Sequence, residues 1–120
     1  MTDRIGLGRN GEEIVANYLC EQGYEILDRN WRIKEGELDL VAKSPNGIIV
    51  FVEVKTRSSH RFGDPLEAID AKKALRLQRL ALAWLALHQS WGHTFRIDCA
   101  GVILGQDSRE LSLDYRVGVL

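Results

Sequence analysis

The order of hydrophobic periodicities in this 120-residue chain predicts an α/β fold, a mixed β-sheet flanked by helices on an αβββαβ core. Three observations carry that expectation. Helical stripes over 9–22 and 70–89 bracket three alternating segments. An Asn-Gly pair separates the last two of those segments, and the stretch 94–104 is apolar enough to be a central strand.

The elements follow in order. Ile14, Val15, Tyr18 and Leu19 give an i, i+4 apolar stripe over 9–22, and Gly23 can take the left-handed conformation that ends a helix. Residues 24–33 read as a first strand, 37–43 as a second and 48–56 as a third. Pro45-Asn46-Gly47 between the last two is a hairpin signal. The polar stretch 58–66 carries Gly63 and Pro65 and reads as a loop. Asp70 is placed to cap a helix that runs to about Gln89 and stops near Gly92. Residues 94–104 form a fourth strand, 105–110 a turn, and 111–119 a candidate edge strand. With no internal repeat, low-complexity segment or linker, a single domain over 1–120 is expected.

An apolar fraction of 45% and a charged fraction of 28% are ordinary for a globular protein, and a net charge of −1 argues against a strongly basic nucleic-acid coat protein. The charge is unevenly spread. Between Lys55 and Arg79, seven bases (Lys55, Arg57, Arg61, Lys72, Lys73, Arg76, Arg79) face three acids (Asp64, Glu67, Asp70), leaving +4 there. The amino terminus lacks the apolar core of a signal peptide, and the longest apolar run, Leu80–Leu87, is too short to span a bilayer. Cys20 and Cys99, without Cys-x-x-Cys spacing, read as two buried free thiols in a reducing compartment, so a cytoplasmic protein is expected. Gly6-Leu7-Gly8-Arg9-Asn10-Gly11 fits the dinucleotide pattern but lacks the strand that must precede it, and reads as a flexible entry to the first helix.

The informative residues are acids inside strands that otherwise read as buried. Alternation puts Glu37, Asp39 and Val41 on one face of the second strand and Leu38, Leu40 and Ala42 on the other. In the third strand Phe51, Glu53 and Lys55 share a face. Hairpin strands lie roughly 5 Å apart, so Asp39 and Glu53 can reach one another. Glu12 falls on the sheet-facing stripe of the first helix, either as a helix-start charge or as a ligand reaching into a site; Glu13 points away. Two carboxylates about 4 Å apart repel by roughly 4 kcal/mol at an effective dielectric near 20. Either one acid keeps its proton or a cation joins them. Glu12, Asp39 and Glu53 carry −3, or −2 with Lys55, which a divalent cation balances, and all-oxygen ligands favour Mg2+ or Mn2+ over zinc. The plainer alternative is a Glu53–Lys55 ion pair with Asp39 partly exposed at a hairpin edge.

Asp39 followed by Glu53-Val54-Lys55, with a helical Glu12 ahead of them, resembles the PD-(D/E)XK nuclease signature. Gly8-x-x-Gly11-Glu12-x-x-Ala16, Asn30-Trp31-Arg32, Gly36-Glu37-Leu38-Asp39-Leu40, Phe51-Val52-Glu53-Val54-Lys55-Thr56-Arg57 and Arg96-Ile97-Asp98 resemble the YraN-like family of uncharacterised bacterial proteins, over residues 6–103. That family is in turn similar to the archaeal Holliday junction resolvases, small dimeric magnesium-dependent endonucleases with a restriction-endonuclease-like fold. The resemblance implies that Asp39 and Glu53 hold the metal with the Val54 carbonyl, that Lys55 orients or deprotonates the attacking water, and that Glu12 binds metal-coordinated water or a second ion. Two departures stand out: Leu38 replaces the proline of the signature, and Gln78 is followed at position 82 by leucine, so the Gln-x-x-x-Tyr element of the RecB-type branch is absent.

The basic segment suits a phosphodiester. Lys72, Arg76 and Arg79 recur along one helical face, and a phosphate would offset the cost of Lys72 and Lys73 in a first helical turn; a solvated face paired with Glu67 and Asp70 is the alternative. Arg57 and Arg61 flank a polar loop beside Lys55, placed for backbone contacts. Trp31, Trp84 and Trp91 read as packing residues, Arg96 and Asp98 as an ion pair, and His60, His88 and His93 lack ligand spacing. The expected function is a Mg2+- or Mn2+-dependent endonuclease acting on branched or structured DNA. A homodimer is expected, with Leu80–Leu87 as a candidate contact or simply core. A nucleic-acid-binding or adaptor protein that keeps the fold without turnover is the alternative.

Overall fold

Among the described residues, the strand and helix signals resolve into a five-stranded sheet with one helix on each face. The computed structural model describes residues 4–57, 69–89, 94–104 and 111–120. Within them the order is α1 (Arg4–Glu21), β1 (Glu25–Ile33), β2 (Gly36–Lys43), β3 (Ile49–Arg57), α2 (Ala71–Leu87), β4 (Phe95–Leu104) and β5 (Leu111–Arg116). The strands lie in the order β1-β2-β3-β4-β5. All neighbours are antiparallel except β3 and β4, which are parallel and joined through α2. This is the expected αβββαβ core in a mixed sheet, with β5 added at the edge. The loop and turn expected at 58–66 and 105–110, together with Arg61, Trp91, His60 and His93, lie outside the described residues.

Local chemistry sets the joints. Gly47 takes φ 86° in the β2–β3 hairpin, where its N–H donates to the Ser44 carbonyl at 2.9 Å. Asp70 caps α2 by accepting the Lys73 backbone N–H at 2.8 Å. Against one face of the sheet α2 packs Leu77, Leu80, Ala81, Trp84 and Leu85 on Val41, Ile49, Phe51 and Ile97. Against the other, α1 packs Val15, Ala16 and Leu19 on Leu40, Ala42, Val50, Val52, Ala100 and Val102. Most of the Leu80–Leu87 run is therefore core, while Leu82 and Leu87 are exposed. Among the described residues no helix is long and apolar enough to cross a membrane.

Three expectations are corrected. The glycine-rich segment 6–11 is part of α1 and not an entry to it. Cys20 is exposed and only Cys99 is buried; Cys20 follows Leu19 by one helical step of about 100°, which carries it off the buried stripe. Leu38 does not share a face with Leu40 and Ala42 but packs in the α2-side cluster with Val41.

The last correction has a cause in the neighbouring strand. Asn30 on β1 sits at φ 50°, a left-handed conformation that asparagine tolerates better than most residues. Either side of it, Arg29 pairs with Leu40 and Trp31 with Leu38. Arg29 reaches Glu13 on α1, whereas Trp31 packs on the α2-side cluster. Both strands thus change face at one level, between residues 29 and 31 and between 38 and 40. There the β2–β3 ladder stops: its last pair is Leu40↔Val52, yet β1–β2 continues to Gly36 and β3–β4 to Arg57. The sheet forks beyond Leu40 and Val52.

Candidate active site in the fork between β2 and β3

The acids singled out in the sequence stand on the two arms of this fork. Asp39 comes directly after the last paired residue on one arm and Glu53 directly after it on the other. With no strand partner across the gap, the Asp39 carboxylate takes over part of the ladder: its Oδ2 accepts the Val54 backbone N–H at 2.8 Å. Glu53 is buried, 9% exposed, on β3. Burial first, and the Glu53 charge second, push the Asp39 carboxyl up to about 7, although the Val54 N–H pulls the other way. The Glu53 part of that shift is the repulsion expected between two neighbouring acids.

Glu12 reaches the same place from α1. A Cβ on the preceding Gly11 would lie 1.8 Å from Thr56 Oγ1, so only glycine lets α1 approach β3 this closely. Glu12 is half-buried, and burial raises its carboxyl above the usual range; the nearby Asn30 side chain works against that shift, and the charges of Glu37 and Glu53 add to it. Glu13, one step round, is exposed and pairs with Arg29 at 2.7 Å. A small hollow of about 210 Å³ lined by Glu12, Glu13, Arg29, Asn30 and Leu40 opens on this side. Glu37 pairs with Arg32 at 2.9 Å.

From the α2 side two lysines converge on Glu53. Lys73 Nζ lies 2.9 Å from Glu53 Oε1 and Lys55 Nζ 3.9 Å from the same atom. Burial and the adjoining Lys73 ammonium hold Lys55 below the usual lysine range. Burial also works against the Lys73 charge, but its contacts with Lys55 and Glu53 outweigh it and shift that group upward.

The sequence reading grouped Lys73 with the phosphate-facing cations, and missed that it enters the acid cluster. The signal was present. Lys73 precedes Leu77 by four residues and Leu80 by seven, so it lies on the buried stripe of α2, while Lys72, Arg76 and Arg79 are exposed. The cost of a cation in the first turn of α2 is met by the Asp70 cap and by Glu53, without any phosphate. Asn30 was the other omission; a site role for it could only follow from the left-handed backbone that faces it toward Glu12.

Among the described residues no three His, Cys, Asp or Glu side chains form a group that could hold a metal ion. The donors nevertheless fit a hard divalent cation in kind: two carboxylates from facing strands, one of them holding its proton to about 7 through burial first and its charged neighbour second. Glu12, Asp39 and Glu53 sum to −3 and Lys55 and Lys73 to +2, so the cluster retains −1 when fully ionised.

Around the fork, the Arg76 stem lies along Gly36, within 3.6 Å of where a Cβ on that glycine would sit, so the exposed stripe of α2 borders the β2 arm. Arg57 is half-buried at the end of β3. Arg96 and Asp98, expected to pair, do so at 3.0 Å. Asp98 is fully buried, and it also accepts the Tyr115 hydroxyl at 2.6 Å and the Gly118 N–H at 2.8 Å, which ties the carboxyl-terminal segment to β4. Trp84 is core, donating its indole N–H to Asp28 at 3.1 Å, and Trp31 packs beside it.

Residues 11–102 match the model of an uncharacterised protein family, UPF0102. A UPF0102 protein of Leifsonia xyli is 45% identical over 103 residues, spanning 86% of each chain. One of Frankia casuarinae is 49% identical over 98 residues, 82% of each chain. A solved structure, a repair endonuclease from Pyrococcus abyssi, superposes with a TM-score of 0.48 at 18% identity, covering 85% of this chain; this chain spans 39% of that one.

Proposed function

The chain belongs to the uncharacterised protein family UPF0102, and from that premise and the chemistry of the fork we propose that it is a metal-dependent endonuclease that hydrolyses phosphodiester bonds in branched or structured DNA. The observation that carries the reading is the meeting of Asp39, Glu53 and Lys55 where β2 and β3 part, with Glu53 and Lys55 on one strand face. Charged side chains gathered at the centre of a sheet cost stability unless they are paired or serve a ligand.

In this reading Asp39 and Glu53 hold Mg2+ or Mn2+. The ion would polarise the scissile phosphate and make its water more acidic. Lys55, held below the usual lysine range by burial and by Lys73, orients the attacking water and, once its own proton has left to solvent, accepts the water's proton on the neutral Nζ. Glu12, beside Asn30, completes the cluster from α1. Lys72, Arg76 and Arg79 lie on the exposed side of α2, beside the β2 arm, where they meet the DNA backbone with Arg57. A junction with two-fold symmetry needs two cuts, hence a homodimer. A cytoplasmic setting suits both the DNA substrate and the free thiols of Cys20 and Cys99.

A second reading, a DNA-binding or adaptor protein without turnover, draws on the Lys73–Glu53 pair, which neutralises a ligand the reaction requires. Labelled junction, flap and linear DNA incubated with Mg2+, Mn2+ or EDTA separates the two. Metal-dependent cleavage that vanishes in Glu53→Ala and Lys55→Ala supports the endonuclease. Binding without cleavage under any condition, unchanged in both variants, supports the adaptor.

A further inference from the structure

Lys73 stands where a packing helix would carry an apolar residue. It lies on the buried stripe of α2 with Leu77 and Leu80, its side chain 18% exposed, and its Nζ is 2.9 Å from Glu53 Oε1. Anchoring α2 does not require this. The helix start is already capped by Asp70, and Leu77, Leu80, Trp84 and Leu85 already fasten the helix to the sheet. Nor does a cation in a first turn gain from the helix dipole. A buried ion pair contributes little net stability to folding, because desolvating its two charges costs about as much as their attraction returns. What Lys73 does supply is a positive charge against the one carboxylate that Lys55 reaches only at 3.9 Å.

We infer that Lys73 is a displaceable counter-cation: it neutralises Glu53 until a divalent cation takes that carboxylate, and the two compete for it. The inference rests on the metal-site reading above and concerns how that site is kept. No bond is made or broken; Glu53 exchanges an ammonium for the ion, and the released Lys73 side chain turns to solvent or to an incoming phosphate. It accounts for two features together. Among the described residues, the charged group nearest the buried Glu53 carboxylate is Lys73, and the acids fit a cation in kind without forming a three-ligand group. A site in this form is filled by its own lysine while it waits, so it does not leave an unpaired buried carboxylate.

The test is Mn2+ binding to the full chain without DNA, followed by the loss of the free-ion paramagnetic resonance signal, for the wild type, Lys73→Met and Lys73→Arg. Lys73→Met is expected to bind Mn2+ several-fold more tightly than the wild type, and Lys73→Arg, which keeps the charge, to stay near wild type. Equal or weaker binding by Lys73→Met overturns the inference and leaves the metal site standing. No Mn2+ bound by any of the three proteins overturns the metal-site reading itself, and this inference with it. A second measurement covers a Lys73→Met protein that does not fold. In the wild type, acylation of Lys73 followed by mass spectrometry should run faster in Mg2+ than in EDTA, with Lys72 unchanged; equal or slower labelling counts against displacement.

Discussion

The Asp39 carboxylate accepts the Val54 backbone N–H at 2.8 Å, across the point where β2 and β3 cease to pair. A side chain thereby closes what the backbone ladder leaves open, and it does so beside the Glu53 charge. The bond favours the ionised carboxyl, while burial and Glu53 favour the protonated one and prevail. Asp39 loses its proton near the ordinary aspartate value of 3.8 when unfolded and at about 7 when folded. Between those values the folded state binds more protons, so stability falls as pH rises from about 4 to about 7, then levels off. Asp39→Asn keeps an acceptor for Val54 and removes the charge. It should melt above the wild type near pH 8, with the gap closing toward pH 4. Each kcal/mol of difference corresponds to roughly 4 °C in a domain of this size. Parallel melting curves across that range would refute the assignment.

Gly11 fixes how far α1 descends onto β3. Gly11→Ala places a methyl 1.8 Å from Thr56 Oγ1 and 3.0 Å from Thr56 Cβ. Overpacking of this kind costs roughly 1–3 kcal/mol. The substitution should lower the denaturant midpoint without changing its slope, and Thr56→Ala should recover part of the loss. A double-mutant cycle reads the coupling; strict additivity of the two changes would show that the contact is not the cause.

Much of this was legible before any coordinates. The Asn-Gly hairpin and strand alternation placed Asp39 and Glu53 on neighbouring strands, each one residue from the Leu40–Val52 pair, and Asp70 read as a helix cap, because each signal depends on residues close together in the chain. The face of Leu38 was not legible. Strict alternation is a property of a regular strand, and the change of face arises from a left-handed residue on a different strand, Asn30. Lys73 was assigned by its company in the sequence, Lys72 and Arg76, when its place on the apolar stripe of α2 was the stronger signal. The fork itself follows from where two ladders continue and one ends, which no single segment encodes.

Asp98 separates scaffold from site. It is fully buried and accepts from Arg96, Tyr115 and Gly118, and burial followed by the Asp98 contact drives the Tyr115 hydroxyl far above its usual range. Asp98→Ala removes the shared acceptor of the half-buried Arg96 guanidinium, the Tyr115 hydroxyl and the Gly118 N–H, at a cost of roughly 1–3 kcal/mol. Chemical denaturation should show that loss, while Mn2+ binding by whatever fraction remains folded stays at the wild-type level. A selective loss of Mn2+ binding in folded protein would place Asp98 in the site instead.

Lys72, Arg76 and Arg79 are exposed along one side of α2, and the Arg76 stem runs beside Gly36 at the β2 arm. If that side meets a phosphate backbone, each cation releases counterions when DNA binds. Removing one should then reduce the slope of log binding constant against log salt by roughly one unit. Arg76→Gln and Arg79→Gln are expected to weaken binding to all sequences alike and to flatten that slope, with melting temperature unmoved because both side chains are solvated. Lys73→Met should behave differently, since its ammonium faces Glu53 rather than solvent. A salt titration of junction DNA binding by fluorescence anisotropy distinguishes these cases. Slopes identical to wild type in both arginine variants would reduce the basic side of α2 to a solvated face.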